Sequence, residues 1–237
     1  MLFSPQILAR APPRPLVVSP TDPNFSSVKL LMGFDGTNGS FGGAPGFSDE
    51  SSAAHGVATS NNSSISTAQF VFGVSSVTKS LIGAYMFFGD STDWSFSTGA
   101  FTVECWIRPN AVSGTQWIVG KDSGGTAWSF VLSGTSLVFK IGATTVLTGG
   151  TISATTWTAV CVDFDGTKYR LYAGGAMVNS STSLVTVGTG GTLLLIGSAN
   201  SGSEFFGYID ELRLTKGVGR YANDSGYTVA AAAFPRS

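Results

Sequence analysis

The stretch Phe101-Thr102-Val103-Glu104-Cys105-Trp106-Ile107-Arg108 alternates without a break. In an extended chain successive side chains point to opposite faces, so Phe101, Val103, Cys105 and Ile107 share one side and Thr102, Glu104, Trp106 and Arg108 the other. The first face is apolar, while the second mixes charge with an indole. A period of two marks a β-strand. Outward from it, short apolar runs separated by Gly, Asn, Asp and Ser clusters begin at Val28 and recur through the chain. The clearest are Val28–Phe34, Tyr85–Phe88, Phe101–Arg108, Trp117–Gly120, Trp128–Leu132, Leu137–Ile141, Trp157–Phe164, Lys168–Ala173, Leu193–Ile196 and Phe206–Leu214. Such runs read as strands and turns. An Asp165-Gly166 step between two of them is a hairpin signal. Helical periodicity is scarce, and the Ala-rich patch Val229 to Ala233 is too short for a stable helix and stops just before Pro235.

The chain has 237 residues, a length that one large β domain reaches without splitting. Charged residues make up 11% of it, which, with 31 glycines, fits many tight turns rather than long polar helices. A formal net charge of −1 gives no general attraction for phosphate backbones or anionic lipid, so no nucleic-acid partner is expected. No apolar stretch approaches the length of a membrane helix, and no membrane insertion is expected. Met1 to Pro15 carries Arg10, Arg14 and several prolines but no continuous apolar run, so a cleaved export signal is not expected. Cys105 and Cys161 sit in apolar strand-like runs and read as buried, reduced thiols rather than a disulfide. With His55 as the single histidine, they do not make a closed zinc site.

Six prolines fall before residue 24, so residues 1–27 form neither a helix nor a central strand. They read as an extended, proline-rich arm preceding a sandwich over residues 28–237. A leader that nothing ties down is one reading. Docking on a neighbouring subunit is the other, and Leu2, Phe3, Ile7, Leu8, Leu16 and Val17 favour it as anchoring side chains.

Three segments, FTVECWIRP at 101–109, WTAVCVDFDGTKYRLYAGG at 157–175 and LLLIGSANSGSEFFGYIDELRLTKGVGRY at 193–221, together resemble the laminin G-like branch of the concanavalin A-like lectin/glucanase superfamily. The most specific part, residues 207–221, resembles the version found in structural proteins of tailed bacteriophages. The resemblance implies an all-β fold, a two-sheet antiparallel jelly-roll sandwich with its first and last strands close together. It also implies a virion surface protein, in decoration or tail association, made in the host cytoplasm and bound to other capsid or tail proteins. Homo-oligomerisation stays open.

Some members of the superfamily are glucanases with paired carboxylates on one strand face, about 5 Å apart for retaining chemistry. Here the dense acidic runs are Asp49-Glu50 and Asp210-Glu211, whose adjacent residues are expected on opposite faces. Glu204 and Asp210 do not reproduce the family's Glu-x-Asp-x-x-Glu spacing. There is no Gly-x-Ser-x-Gly elbow for His55 to serve. No catalytic residue is therefore assigned. Glu104 and Arg213 are expected to form a structural charged pair between adjacent strands. Calcium would need converging loop oxygens; Asp90, Asp93, Asp122 and Asp165 qualify by chemistry alone, and no compact Asp-rich loop gathers them, so no cofactor is expected. For a sugar-binding role, rings against which a pyranose can stack are Trp94, Trp117, Trp128 and Tyr221, with Tyr169 and Tyr172 also available. Two functions follow as expectations: a non-enzymatic virion protein held by its arm, or a carbohydrate-binding adhesin that recognises a host-surface glycan.

Overall fold

The computed structural model of the chain describes residues 21–79, 83–121, 127–187, 193–199 and 203–237. Fifteen strands among the described residues build two antiparallel sheets. In spatial order the first consists of β13 (Ala176–Ser181), β12 (Tyr169–Ala173), β11 (Thr158–Phe164), β6 (Phe101–Pro109), β15 (Gly207–Lys216), β4 (Ser76–Lys79) and β3 (Ser63–Ser66). The eighth member, β1 (Val28–Met32), pairs with β15. The second sheet runs β10 (Thr144–Gly149), β9 (Ser136–Ile141), β8 (Trp128–Ser133), β7 (Thr115–Lys121), β14 (Leu194–Ile196), β5 (Tyr85–Phe88) and β2 (Thr59–Asn61). The architecture is the expected all-β sandwich, with first and last strands side by side.

The alternation of β6 settles which side of it faces in. Phe101, Val103, Cys105 and Ile107 join Phe130, Leu132, Phe139, Leu194 and Ile196 of the other sheet in one core. At its centre Phe101 stacks on Phe96 with ring centroids 4.3 Å apart, and Phe96 lies 5.2 Å from Trp128. The hairpin signal also corresponds to structure: Phe164 of β11 faces Tyr169 of β12 across the Asp165-Gly166 turn, where Gly166 adopts φ 96°. A buried lysine makes one of the polar contacts between the sheets. Fully buried Lys79 of β4 donates from Nζ to Ser63 Oγ and, at 3.0 Å, to the Ile196 carbonyl of β14. Burial holds its pKa well below the ordinary ammonium range.

Both cysteines are free and buried. Cys105 lies in the core, whereas Cys161 pairs in register with Glu104 and so points to the opposite face. Neighbouring strands thus hold the two sulfurs on different sides of one sheet, which no disulfide spans. Phe25 packs against Val28, Leu31 and Phe234, and the Asp22 amide donates to the Ser237 carbonyl at 2.8 Å. Residues 21–27 thus pack on the sandwich, while the anchoring residues Leu2, Phe3, Ile7, Leu8, Leu16 and Val17 lie outside the described residues.

Candidate functional site

The two outer faces of the sandwich differ in kind. On the eight-stranded sheet, residues 21–27 and the C-terminal tail cover Glu104 of β6 and Glu211 and Arg213 of β15, and this covered surface is ionic, while Trp106, Arg108 and Tyr208 stay half-buried outside it. Arg213 donates from Nε to Glu104 Oε1 at 2.9 Å and from Nη1 to Asp22 Oδ2 at 3.2 Å. Arg220 grips both oxygens of the same Asp22 at 2.8 and 3.0 Å. Tyr221 Oη donates to the second Glu104 oxygen at 2.6 Å, and the Phe234 ring closes over the Arg213 guanidinium at 3.8 Å. Burial raises the Asp22 carboxyl, but the Arg220, Asn24 N–H and Arg213 interactions outweigh it and leave it below its usual value.

A bulge in β15 makes this possible. Between Asp210↔Trp106 and Arg213↔Glu104 the strand carries one extra residue, and Glu211 sits at φ 48°. Ile209, Leu212 and Leu214 face the core. Asp210 and Glu211 consequently fall together on the outer face, which corrects the expectation that these neighbours diverge. They still do not form a catalytic pair. Asp210 accepts from the Val71 and Phe72 amides at 2.8 and 3.3 Å, while Glu211 accepts from Arg236 and from the Phe234 amide at 2.9 Å. Both are fully buried beneath those partners.

The outer face of the seven-stranded sheet is partly exposed among the described residues, with Thr145 and Thr148 exposed and Lys140, Trp117 and Phe87 half-buried. Strand registers align its outward side chains in a row of Thr145, Lys140, Ser129, Gly120, Leu195 and Phe87. A second row holds Thr148, Val138, Val131 and Trp117, with Tyr85 of β5 further along. Trp117 is half-buried, and its Nε1 donates to the Leu195 carbonyl at 3.3 Å, which fixes the indole flat along the sheet. A Cβ at position 120 would come within 2.7 Å of the Trp117 ring and 2.6 Å of the Trp128 carbonyl, so glycine there leaves room for the indole to lie down. Next to Trp117, a hollow of about 320 Å³ is lined by Thr115, Val131, Ser133, Val138, Lys140, Thr145 and Thr148. On the far side Tyr85 and Phe87 stack with centroids 5.9 Å apart.

Of the rings expected to bind sugar, the structure leaves Trp117 on this face. Trp94 and Trp128 are 0% exposed, with their indole N–H groups donating to the carbonyls of Gly89 and Trp94, and both serve the core. Tyr221 is stacked on Tyr227 at 3.7 Å and commits its hydroxyl to Glu104, so it belongs to the tail's packing. Tyr169 and Tyr172 are buried as well. Tyr85 and Phe87 were not singled out from the sequence; their i, i+2 spacing opposite Met86 and Phe88 was the available signal, but it does not say which pair faces out. The carboxylates considered for calcium stand apart. Asp90 pairs with Lys121, Asp93 with His55, and Asp165 accepts from Thr167, the Lys168 amide and Arg170. Asp122 lies outside the described residues, and among the described residues no group of three or more metal-ligating side chains converges.

The sequence profile of the concanavalin A-like lectin/glucanases superfamily matches residues 82–218, more than half of the chain, and the chain belongs to that superfamily. No curated protein matches it. Its fold is similar to domain 4 of AbnA, a GH43 extracellular arabinanase from Geobacillus stearothermophilus solved in complex with arabinotriose. That similarity has a TM-score of 0.64 at 19% identity over 81% of this chain and 93% of that one. It is also similar to the receptor binding domain of botulinum neurotoxin D, with a TM-score of 0.61 at 12% identity over 83% of this chain and 50% of that one. A sialidase from Trypanosoma rangeli gives 0.55 at 12% identity, over 87% of this chain and 32% of that one. The chain thus spans half the length of the neurotoxin fragment and a third of the sialidase.

Two outcomes test the sealed face. Arg213→Met leaves buried Glu104 without its cation and lowers unfolding stability by about 3–5 kcal/mol in urea, whereas Glu104→Gln in the same chain recovers most of the loss. Equal stability of the single and double variants would contradict the pairing. Burial pushes the Asp210 carboxyl up to about 7 against the pull of the Val71 and Phe72 amides. Its folded-state value is raised, so its contribution is full below the ordinary value of 3.8 and lost as pH rises through about 7. Asp210→Asn should flatten the stability profile across that window; an unchanged slope in urea titrations at successive pH values would refute the assignment.

Proposed function

We propose that the chain is a non-catalytic carbohydrate-binding module that takes a glycan on the outer face of its seven-stranded sheet. The observation that carries this is Trp117, held flat by Leu195 and Gly120 beside an open hollow whose rim is hydroxyl-rich. A pyranose presents an apolar C–H face that packs on an indole and a ring of hydroxyls that needs nearby polar partners, and this surface offers both. An arabinanase domain of the same fold was solved with arabinotriose, which supports the reading. Binding is favoured over hydrolysis because the two outward rows hold no carboxylate, and on the other sheet Glu104 and Glu211 are committed to Arg213 and Arg236.

The setting we propose is the surface of a tailed-phage particle. Support for it is the resemblance of residues 207–221 to phage structural proteins, together with the apolar, proline-rich residues ahead of Thr21 as a means of attachment to capsid or tail subunits. A module displayed in this way places its seven-stranded sheet toward a host-surface glycan. Trp117→Ala should weaken glycan binding at least tenfold, about 1.4 kcal/mol, while lowering the melting temperature by only a few degrees. Glycan-array binding followed by titration calorimetry checks it. Unchanged affinity in the variant would move the site elsewhere, and an array without any binder would overturn the module.

A further inference from the structure

Resting on that reading, we infer that the glycan this face selects is acidic, its carboxylate or sulfate held by Lys140. Among the described residues the Lys140 ammonium makes no hydrogen bond and no ion pair. That sets it apart from Lys121, Arg170, Arg213 and Arg220, each of which meets a carboxylate. It stands on the wall of the hollow, above a floor of Val131 and Val138 that is nearly closed to solvent, with Ser129 and Thr145 as its lateral neighbours in register. The cation thus faces hydroxyl donors and apolar carbon, and no acidic side chain occupies the two rows around it. A site so arranged has a positive potential that neutral sugars leave uncompensated. An anionic sugar satisfies it with a charge-assisted hydrogen bond, and Ser129 and Thr145 supply further donors to the same oxygens.

The spacing bears on the form of the ligand. Lys140 is on β9 and Trp117 on β7, with β8 between them, so two strand intervals of about 4.8 Å separate their backbones, while the indole reaches Gly120 in the row of Lys140. The acidic unit is therefore the stacking sugar itself or a neighbouring unit of the same oligosaccharide. Lysine suits this role as a compact charge on a flexible stem, which accepts either a carboxylate or a sulfate ester.

The test uses the full chain and three probes of equal length: a galactose tetramer, a galacturonate tetramer and a sulfated galactose tetramer, titrated at low and high salt. The expected result is binding of at least one acidic tetramer about fivefold or more tighter than the neutral one, with the difference shrinking at high salt. Lys140→Gln should bring the acidic tetramers down to the affinity of the neutral one measured on the same variant, and Lys140→Arg should restore the preference. The two acidic probes tell carboxylate from sulfate. Equal binding of all three tetramers by the native chain, or a preference that survives in Lys140→Gln, would overturn acidic selection and leave the binding face standing. Failure of every tetramer to bind the native chain, with no binder on the array, would remove both.

Discussion

The buried guanidinium of Arg213 governs how this sandwich presents itself. An arginine on the outer side of a central strand needs either solvent or a complete set of acceptors, because an unpaired buried charge costs several kcal/mol. Here Glu104 comes from the adjacent strand β6, Asp22 from the residues preceding β1, and the Phe234 ring from the end of the tail. Both ends of the described chain are thus drawn onto one face. The β15 bulge adds Glu211 to the same side, where it holds Arg236 and the Phe234 amide.

The opposite sheet is arranged differently. Across the core, β7 to β10 keep an outward surface that no tail crosses among the described residues, and its side chains are Thr, Ser, Val, a lysine and an indole. The contrast lies within one sandwich: ionic and buried where the tail covers the eight-stranded side, hydroxyl-lined and partly exposed on the seven-stranded side. Trp117 depends on this rigidity. Its orientation is set by a backbone carbonyl and by the missing side chain at Gly120, both on paired strands rather than on a loop. A platform fixed in this way loses little conformational freedom when a ligand settles on it.

Much of the fold was legible in the sequence, because its central strands carry a full apolar set on one face. The alternation of residues 101–108 predicted which side of β6 is core, and the Asp-Gly step located the β11–β12 hairpin. Strands β2, β3, β4, β10 and β13 were not recognised. Their sequences, such as Thr59-Ser60-Asn61 and Ala176–Ser181, are rich in small polar residues, and their strand character comes from pairing with a neighbour already in place. The Glu104–Arg213 contact was anticipated from residue type, but Asp22 as its third member lies nearly 200 positions away and has no local signal. The bulge was hidden for a related reason: Asp210-Glu211 reads as regular alternation unless the left-handed backbone at Glu211 is known. The candidate site was legible only in part. Trp94, Trp117 and Trp128 are equivalent as letters, and only packing against Gly120 and Leu195 distinguishes the one that faces out.

The most direct measurement is a crystal structure of the chain with an oligosaccharide selected on the array. The account predicts one sugar ring stacked on the Trp117 indole, with the chain of sugars running across β8 toward β9, and no ligand on the tail-covered side. A sugar bound against Tyr221 and Tyr227, or at the edge of the eight-stranded sheet, with the Trp117 face empty, would contradict it.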